Sequence, residues 1–164
     1  MPNPQGHWAG LGEYTGSVKL KVSWIGKTKN PNIQALTDEY LERLRRYSEI
    51  EHAALKDESA VLKLCREGAR PVRFALVLVD SRGRELSSEQ FAHWLREYRE
   101  RNSLPLLFAV GAADGFSEEA RKAATLVLSL GKMTLAHELA RVVLVEQIYR
   151  AFTILAGHPY HLGH

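Results

Sequence analysis

From about residue 104 onward the chain reads as a buried strand, a glycine-bearing loop, a helix, a second buried strand, a glycine-lysine loop and a long helix. That order is restrictive. Short apolar strands that alternate with helices must lie parallel in one sheet, because each helix is the crossover that returns the chain to the same end. The two loops, Gly111-Ala112-Ala113-Asp114-Gly115 and Ser129-Leu130-Gly131-Lys132-Met133-Thr134, therefore leave the same edge of that sheet. In open parallel sheets that edge is where ligands meet exposed backbone N–H groups.

The upstream sequence continues the alternation. Residues 18–25 interleave apolar and basic side chains, a strand of period two. Asn30-Pro31 starts a helix over 32–47, with Ile33, Leu36, Tyr40, Leu44 and Tyr47 at helical spacing. A weaker strand falls at 49–55, and a short helix at 57–67 ends before Gly68. Residues 72–79 are almost wholly apolar, as a strand covered on both faces requires, and 80–84 read as a turn. Ser87 or Ser88 caps a helix to Arg101 that carries Phe91, Trp94, Leu95 and Tyr98 on one side. Strands at 104–110 and 126–130 bracket a helix opened by Ser117-Glu118-Glu119. The last helix spans 137–156, with Leu139, Val142, Val143, Leu144, Ile148, Phe152 and Leu155 as its expected core stripe. The fold class is α/β, a mostly parallel sheet flanked by helices, in one domain over 18–164; residues 1–17 lack periodicity and read as a disordered extension.

Composition narrows the function classes. A chain of 164 residues, 45% hydrophobic and 25% charged, has the balance of a soluble globular protein. It has no apolar run of bilayer length and no signal core near its start, so neither membrane nor export is expected. Cys65 is the single cysteine, which rules out an internal disulfide, fits a reducing cytoplasm and is read as an inert thiol. The net charge of +3 is only mildly basic, with arginines gathered at Arg43, Arg45 and Arg46 and at Arg96, Arg99 and Arg101.

Several residues carry possible chemistry. The loop at 111–115 reads as a ligand loop or as a plain turn; it matches neither the dinucleotide fingerprint nor a P-loop. His137 and Arg141 share one helix face and suit an anion, or else form ordinary surface pairs with Glu138 or Glu146. His158 and His161 have no second pair of ligands nearby, so no metal is expected.

Taken together, Val110-Gly111, Leu128-Ser129-Leu130, Lys132-Met133-Thr134, His137, the run from Arg141 through Phe152, and Pro159-Tyr160-His161 resemble one family. It is the pseudouridine methyltransferase H family of the bacterial large ribosomal subunit, small members of the knotted SPOUT methyltransferases. The resemblance covers 18–161 and is most specific at the C-terminal end. It implies a C-terminal deep trefoil knot, a cytoplasmic homodimer, and S-adenosylmethionine as methyl donor. The last helix offers apolar surface on more than one side, with Val145 and Tyr149 outside its main stripe, so one subunit's tail is expected to complete its partner's site. The implied acceptor is N3 of a pseudouridine in helix 69 of 23S rRNA, on the assembled ribosome.

Carried over by position, Leu78, Val79 and Asp80, then Val110 and Gly111, then Leu130, Gly131, Lys132, Met133, Thr134 and Leu135 would hold the cofactor. His137, Arg141, Tyr160 and His161 would face RNA, Arg141 holding a phosphate and Tyr160 meeting the target base. Either His137 or His161, or a water, would take the imide proton. The chain departs from the family at Ala112, where a second glycine is usual, and at Ala136, where proline is common. Because family members begin near Lys19, with Val18 at the place of their first residue, the extension is expected to be dispensable. Two other readings of the same residues are a SPOUT enzyme acting on tRNA and an RNA-binding module without a methyl donor.

Overall fold

The computed structural model describes residues 19–162, so the N-terminal extension lies outside the described residues. The elements run β1 (Leu20–Ile25), α1 (Pro31–Leu44), β2 (Ile50–Leu55), α2 (Glu58–Cys65), β3 (Ala75–Glu85), α3 (Ser88–Arg101), β4 (Leu106–Val110), α4 (Glu118–Ala123), β5 (Leu126–Ser129) and α5 (His137–Ala156). A terminal 3-10 turn, Pro159–Leu162, follows. The strands form one five-stranded sheet in the order β2-β1-β4-β3-β5. Every pairing is parallel, as the alternation of strands and helices requires.

Local chemistry explains where the helices begin. Asn30 accepts from the Asn32 N–H with Pro31 in the first turn of α1, and Asp57 caps α2. Ser87 and Gln90 close a reciprocal capping box on α3, and Ser117 caps α4. Helix α5 starts without a side-chain cap, since Ala136 has none to offer, and ends on Gly157 at φ 72°, the left-handed conformation that favours glycine.

Helices cover both faces of the sheet. On one, Leu20, Val22 and Trp24 of β1 and Phe108 of β4 pack with Leu41, Phe91, Leu144 and Phe152 from α1, α3 and α5. On the other, Leu76, Leu78 and Leu107 pack with Val61 of α2, Phe116 and Ala120 of α4. Strand neighbours within this sandwich alternate faces, which is why 72–79 is apolar at nearly every position.

Three expectations are corrected. Residues 80–84 are not a turn closing the strand: β3 continues to Glu85 after an irregularity. Both Val79 and Arg84 register with Leu128, so 80–83 bulges out between two pairings with the same β5 residue. Gly83 makes this possible, because a Cβ there would stand 2.5 Å from the Val127 carbonyl oxygen. The buried side of α5 is also rotated from the expected stripe. Arg141, Leu144, Val145, Ile148, Ala151 and Phe152 face inward, whereas Leu139 is 49% exposed. With apolar residues nearly all round, the spacing alone left that choice open. Finally, α1 ends at Leu44 rather than continuing to residue 47, and Leu36 of its expected apolar stripe is 43% exposed.

Candidate active site

The C-terminal edge of the sheet holds a cavity of about 360 Å³ walled by the loops after β3, β4 and β5 and by the start of α5. Val79, Asp80, Val110, Gly111, Leu130, Gly131, Met133, Thr134, Leu135 and His137 all line it. Segments far apart in sequence thus converge because parallel strands deliver their following loops to one edge. Leu78 and Lys132 are not in the wall. Leu78 is fully buried in the core on the α2 and α4 side, and Lys132 is exposed.

Side-chain clamps fix the wall. Asp80 is 6% exposed, yet its carboxylate accepts from the Arg82 backbone N–H at 2.9 Å, from Arg82 Nε at 3.0 Å and Nη2 at 3.1 Å, and from the Phe116 N–H at 3.3 Å. Burial pushes this carboxyl up, but the Arg82 and Phe116 donors outweigh it and hold the group below its ordinary value. Arg82 also donates from Nη2 to the Phe116 carbonyl at 2.9 Å, so the bulge of β3 and the loop after β4 are tied together. Gly115 passes beside this pair at φ 75°. Arg82 is a site residue that the sequence reading missed; its signal is an acid and an arginine two apart at a strand's end. In the β5 loop, Ser129 Oγ accepts from the Gly131 N–H at 3.2 Å and donates to the Gly131 carbonyl at 3.0 Å. Gly131 has φ 133°, a conformation that excludes most side chains.

The first turn of α5 grips the loop after β1. Glu138 Oε1 accepts from the Lys29 N–H at 2.8 Å and the Asn30 N–H at 3.3 Å. Arg141 donates from Nη1 to Thr28 Oγ1 and from Nη2 to the Ile25 carbonyl, each at 3.0 Å, with its guanidinium 5.5 Å from the Trp24 ring. It is 1% exposed, and burial lowers its pKa. Arg141 is therefore not a surface residue paired with Glu138 or Glu146, nor does its side chain line the cavity. His137 beside it is exposed at the cavity wall.

The tail is held elsewhere. Tyr160 donates to Glu146 Oε1 at 3.1 Å, lies 3.2 Å from the Tyr40 hydroxyl, and sets its ring 4.8 Å from that of Tyr149. Arg150 stacks over Tyr160 at 5.0 Å and donates to the same Glu146 oxygen at 2.6 Å. His158 Nδ1 hydrogen-bonds the Tyr47 hydroxyl. Glu146, which holds Tyr160, is six residues along α5 from Ala140, the last α5 residue of the cavity wall, a separation of about 9 Å at 1.5 Å per residue. The His161 side chain lies outside the described residues. Cys65 is buried enough to push its thiol up to about 11, so it stays protonated near neutrality.

The family described as "Predicted SPOUT methyltransferase" matches residues 18–161. Ribosomal RNA large subunit methyltransferase H of Koribacter versatilis is 54% identical over 149 residues, which is 90% of this chain and 100% of that one. The protein of the same name from Geobacter sulfurreducens is 41% identical over 152 residues, 88% of this chain and 99% of its own. Among solved structures, the SpoU methyltransferase AviRb from Streptomyces viridochromogenes in complex with the cofactor AdoMet superposes with a TM-score of 0.50 at 12% identity. It aligns over 92% of this chain and 62% of that one, a likeness of fold. A parallel sheet with its cavity at the strand ends, in a chain matched over nearly its whole length, defines a SPOUT methyltransferase. Within that family the chain belongs with the ribosomal RNA large subunit methyltransferase H proteins.

Proposed function

We propose that the protein transfers a methyl group from S-adenosylmethionine to N3 of a pseudouridine in helix 69 of 23S rRNA, on the assembled ribosome. The observation that carries this reading is the cavity at the ends of β3, β4 and β5, in a chain whose full-length relatives are named for large-subunit rRNA methylation. At about 360 Å³ it falls in the range of small-molecule sites, about 300–1,000 Å³. Its lining fits the methyl donor: Val79, Val110, Leu130 and Leu135 offer apolar walls for an adenine, while Gly111 and Gly131 let backbone groups approach its polar edges. Met133 and Thr134 complete the rim. Leu78 supports the wall from the core and Lys132 stands outside it.

When bound, S-adenosylmethionine supplies an electrophilic methyl carbon on a sulfonium. The chain's own residues must then orient the base and remove the N3 proton. His137 stands exposed at the cavity wall, where one ring nitrogen can accept that proton. Positioning contributes much of the rate, because the loops are fixed before any ligand arrives. Asp80 with Arg82, Ser129 with Gly131, and Glu138 with Arg141 do that fixing.

The reading includes a cytoplasmic homodimer and a trefoil knot formed by the C-terminal segment. Support for the dimer is that Tyr160 is held on Glu146, about 9 Å along α5 beyond Ala140 of its own cavity wall. A second copy's tail, carrying Tyr160 and His161, then completes the site. Leu36, Met133, Leu135 and Leu139 are large apolar side chains left exposed, as surface awaiting a partner would be. Val145, expected from the sequence to lie outside the main apolar stripe of α5 and offer surface to a partner, is instead fully buried within the chain. Support for the knot is the chain's place among the SPOUT methyltransferases.

The test is tritium transfer from labelled S-adenosylmethionine to ribosomes lacking the modification, to free 23S rRNA and to tRNA, followed by nucleoside mass spectrometry. Label in N3-methylpseudouridine of ribosomes is expected. Label in tRNA would move the protein to a different substrate. Calorimetry showing no binding of the donor would leave an RNA-binding module.

A further inference from the structure

We infer that the loops following β1 and β2 form a docking surface for the phosphate backbone of the RNA substrate, with Lys27, Lys29 and Lys56 as its cations. The inference rests on the proposed reading that the substrate is RNA, and adds where the strand lies.

The sheet places these lysines together. Strand β1 ends at Ile25 and β2 at Leu55, which are register partners, and the Gly26 N–H bonds the Leu55 carbonyl at 3.0 Å. The next side chains, Lys27 and Lys56, therefore leave neighbouring strand ends, with Lys29 close behind. All three are exposed. Strand β1 also pairs with β4, whose following loop walls the cavity. With strands about 4.8 Å apart, the two lysine-bearing loops stand about 5 and 10 Å along the edge from that wall. A nucleotide entering the cavity would carry its flanking phosphates over them.

Among the described residues, none of the three is held in an ion pair. Lys19, Lys21, Arg43, Arg45, Lys122 and Arg150 all have carboxylate partners on other parts of the surface. Among the described residues, Lys27, Lys29 and Lys56 form no such pair. The acids beside them are engaged otherwise: Asp57 caps the Ala60 N–H, Glu58 accepts from Ser117, and Glu138 accepts from the Lys29 and Asn30 N–H groups. Exposed lysines left unpaired beside a cavity attract anions, and the Glu138 and Arg141 clamp fixes the loop that carries two of them.

The experiment compares the full chain with Lys27→Gln/Lys29→Gln/Lys56→Gln, with the matching triple arginine variant, and with Lys63→Gln. Lys63 is an exposed cation in the last turn of α2, next to Leu64, whose carbonyl accepts from the Phe74 N–H just before β3 begins, at the opposite edge of the sheet. Co-sedimentation with unmodified ribosomes is measured over a range of salt, alongside calorimetry for S-adenosylmethionine and methyl transfer. The glutamine triple is expected to bind ribosomes at least about tenfold more weakly. Its log-log salt slope should be smaller by about 2, for three phosphates at about 0.7 each on a single strand. Donor affinity should be unchanged, the arginine triple should bind as the wild type does, and Lys63→Gln should be silent. Unchanged binding by the glutamine triple, an unchanged salt slope, or loss of binding by the arginine triple would each overturn the docking surface. Failure of the wild type to methylate ribosomes sinks the proposed function instead; the surface is then decided by the binding curves alone.

Discussion

Arg141 Nη2 donates to the Ile25 carbonyl across 116 residues of sequence, at 3.0 Å, and thereby ties the last helix to the end of the first strand. The same side chain reaches Thr28 and lies over Trp24, so the turn of α5 next to the cavity and the loop after β1 move as one body.

Arg141→Ala should therefore destabilise the fold, by about 2–3 kcal/mol, because it leaves a half-buried carbonyl without its donor and a void over Trp24. Arg141→Lys should recover less than half of this, since an ammonium cannot fork to both acceptors. Urea titrations followed by tryptophan fluorescence give both numbers. Wild-type stability with lost RNA affinity would return Arg141 to a direct phosphate role.

Tyr160→Phe and Glu146→Leu remove the donor and the acceptor of one hydrogen bond. Each should cost about 1 kcal/mol. The double variant should fall short of the sum by at least about 0.5 kcal/mol, as contacting partners do. Additive losses in the same denaturation assay would mean that the tail is not held by this contact.

Asp80 gives a pH dependence of definite sign. Its folded pKa is held below its ordinary value, so its contribution is fully present above the unfolded value of about 3.9 and is lost as pH falls through the folded one. In calorimetric scans, Asp80→Asn should lower Tm by a constant amount from about pH 7 to 5, and the gap should close below about pH 4. A gap that widens in acid would contradict the assignment.

Gly83→Ala and Gly26→Ala separate crowding from backbone strain. At Gly83 the new methyl meets β5 backbone at 2.5–2.8 Å, which cannot yield as a side-chain tip would; a loss of about 3 kcal/mol is expected. Gly26 has open space but φ 88°, and should lose only about 1 kcal/mol. Equal losses by chemical denaturation would dismiss the tight crossing at Gly83.

His137→Gln should slow methyl transfer to ribosomes by about 10²-fold, the usual contribution of a positioned base. Its affinity for S-adenosylmethionine should stay near wild type in calorimetry. A proportional loss of donor affinity would make His137 part of the cofactor wall and not a base.

The sequence by itself determined the alternation of strands and helices, the parallel sheet, and the loops at 111–115 and 129–134 that leave its cavity edge. These are local matters: period, caps and glycines act within a few residues. It did not determine the orientation of α5, whose apolar residues run nearly all round, so Leu139 was expected inside and Arg141 outside. Nor could it show that 80–84 continues β3, because Gly83 reads as a turn until Val127 of β5 is packed against it. Only tertiary structure decided that Arg141 is buried on Ile25 and that Tyr160 is held on Glu146, well away from its own cavity. Those outcomes depend on contacts between segments from 14 to 116 residues apart, which no local pattern encodes. Burying a cation or a hydroxyl is tolerable only where distant partners arrive to satisfy it.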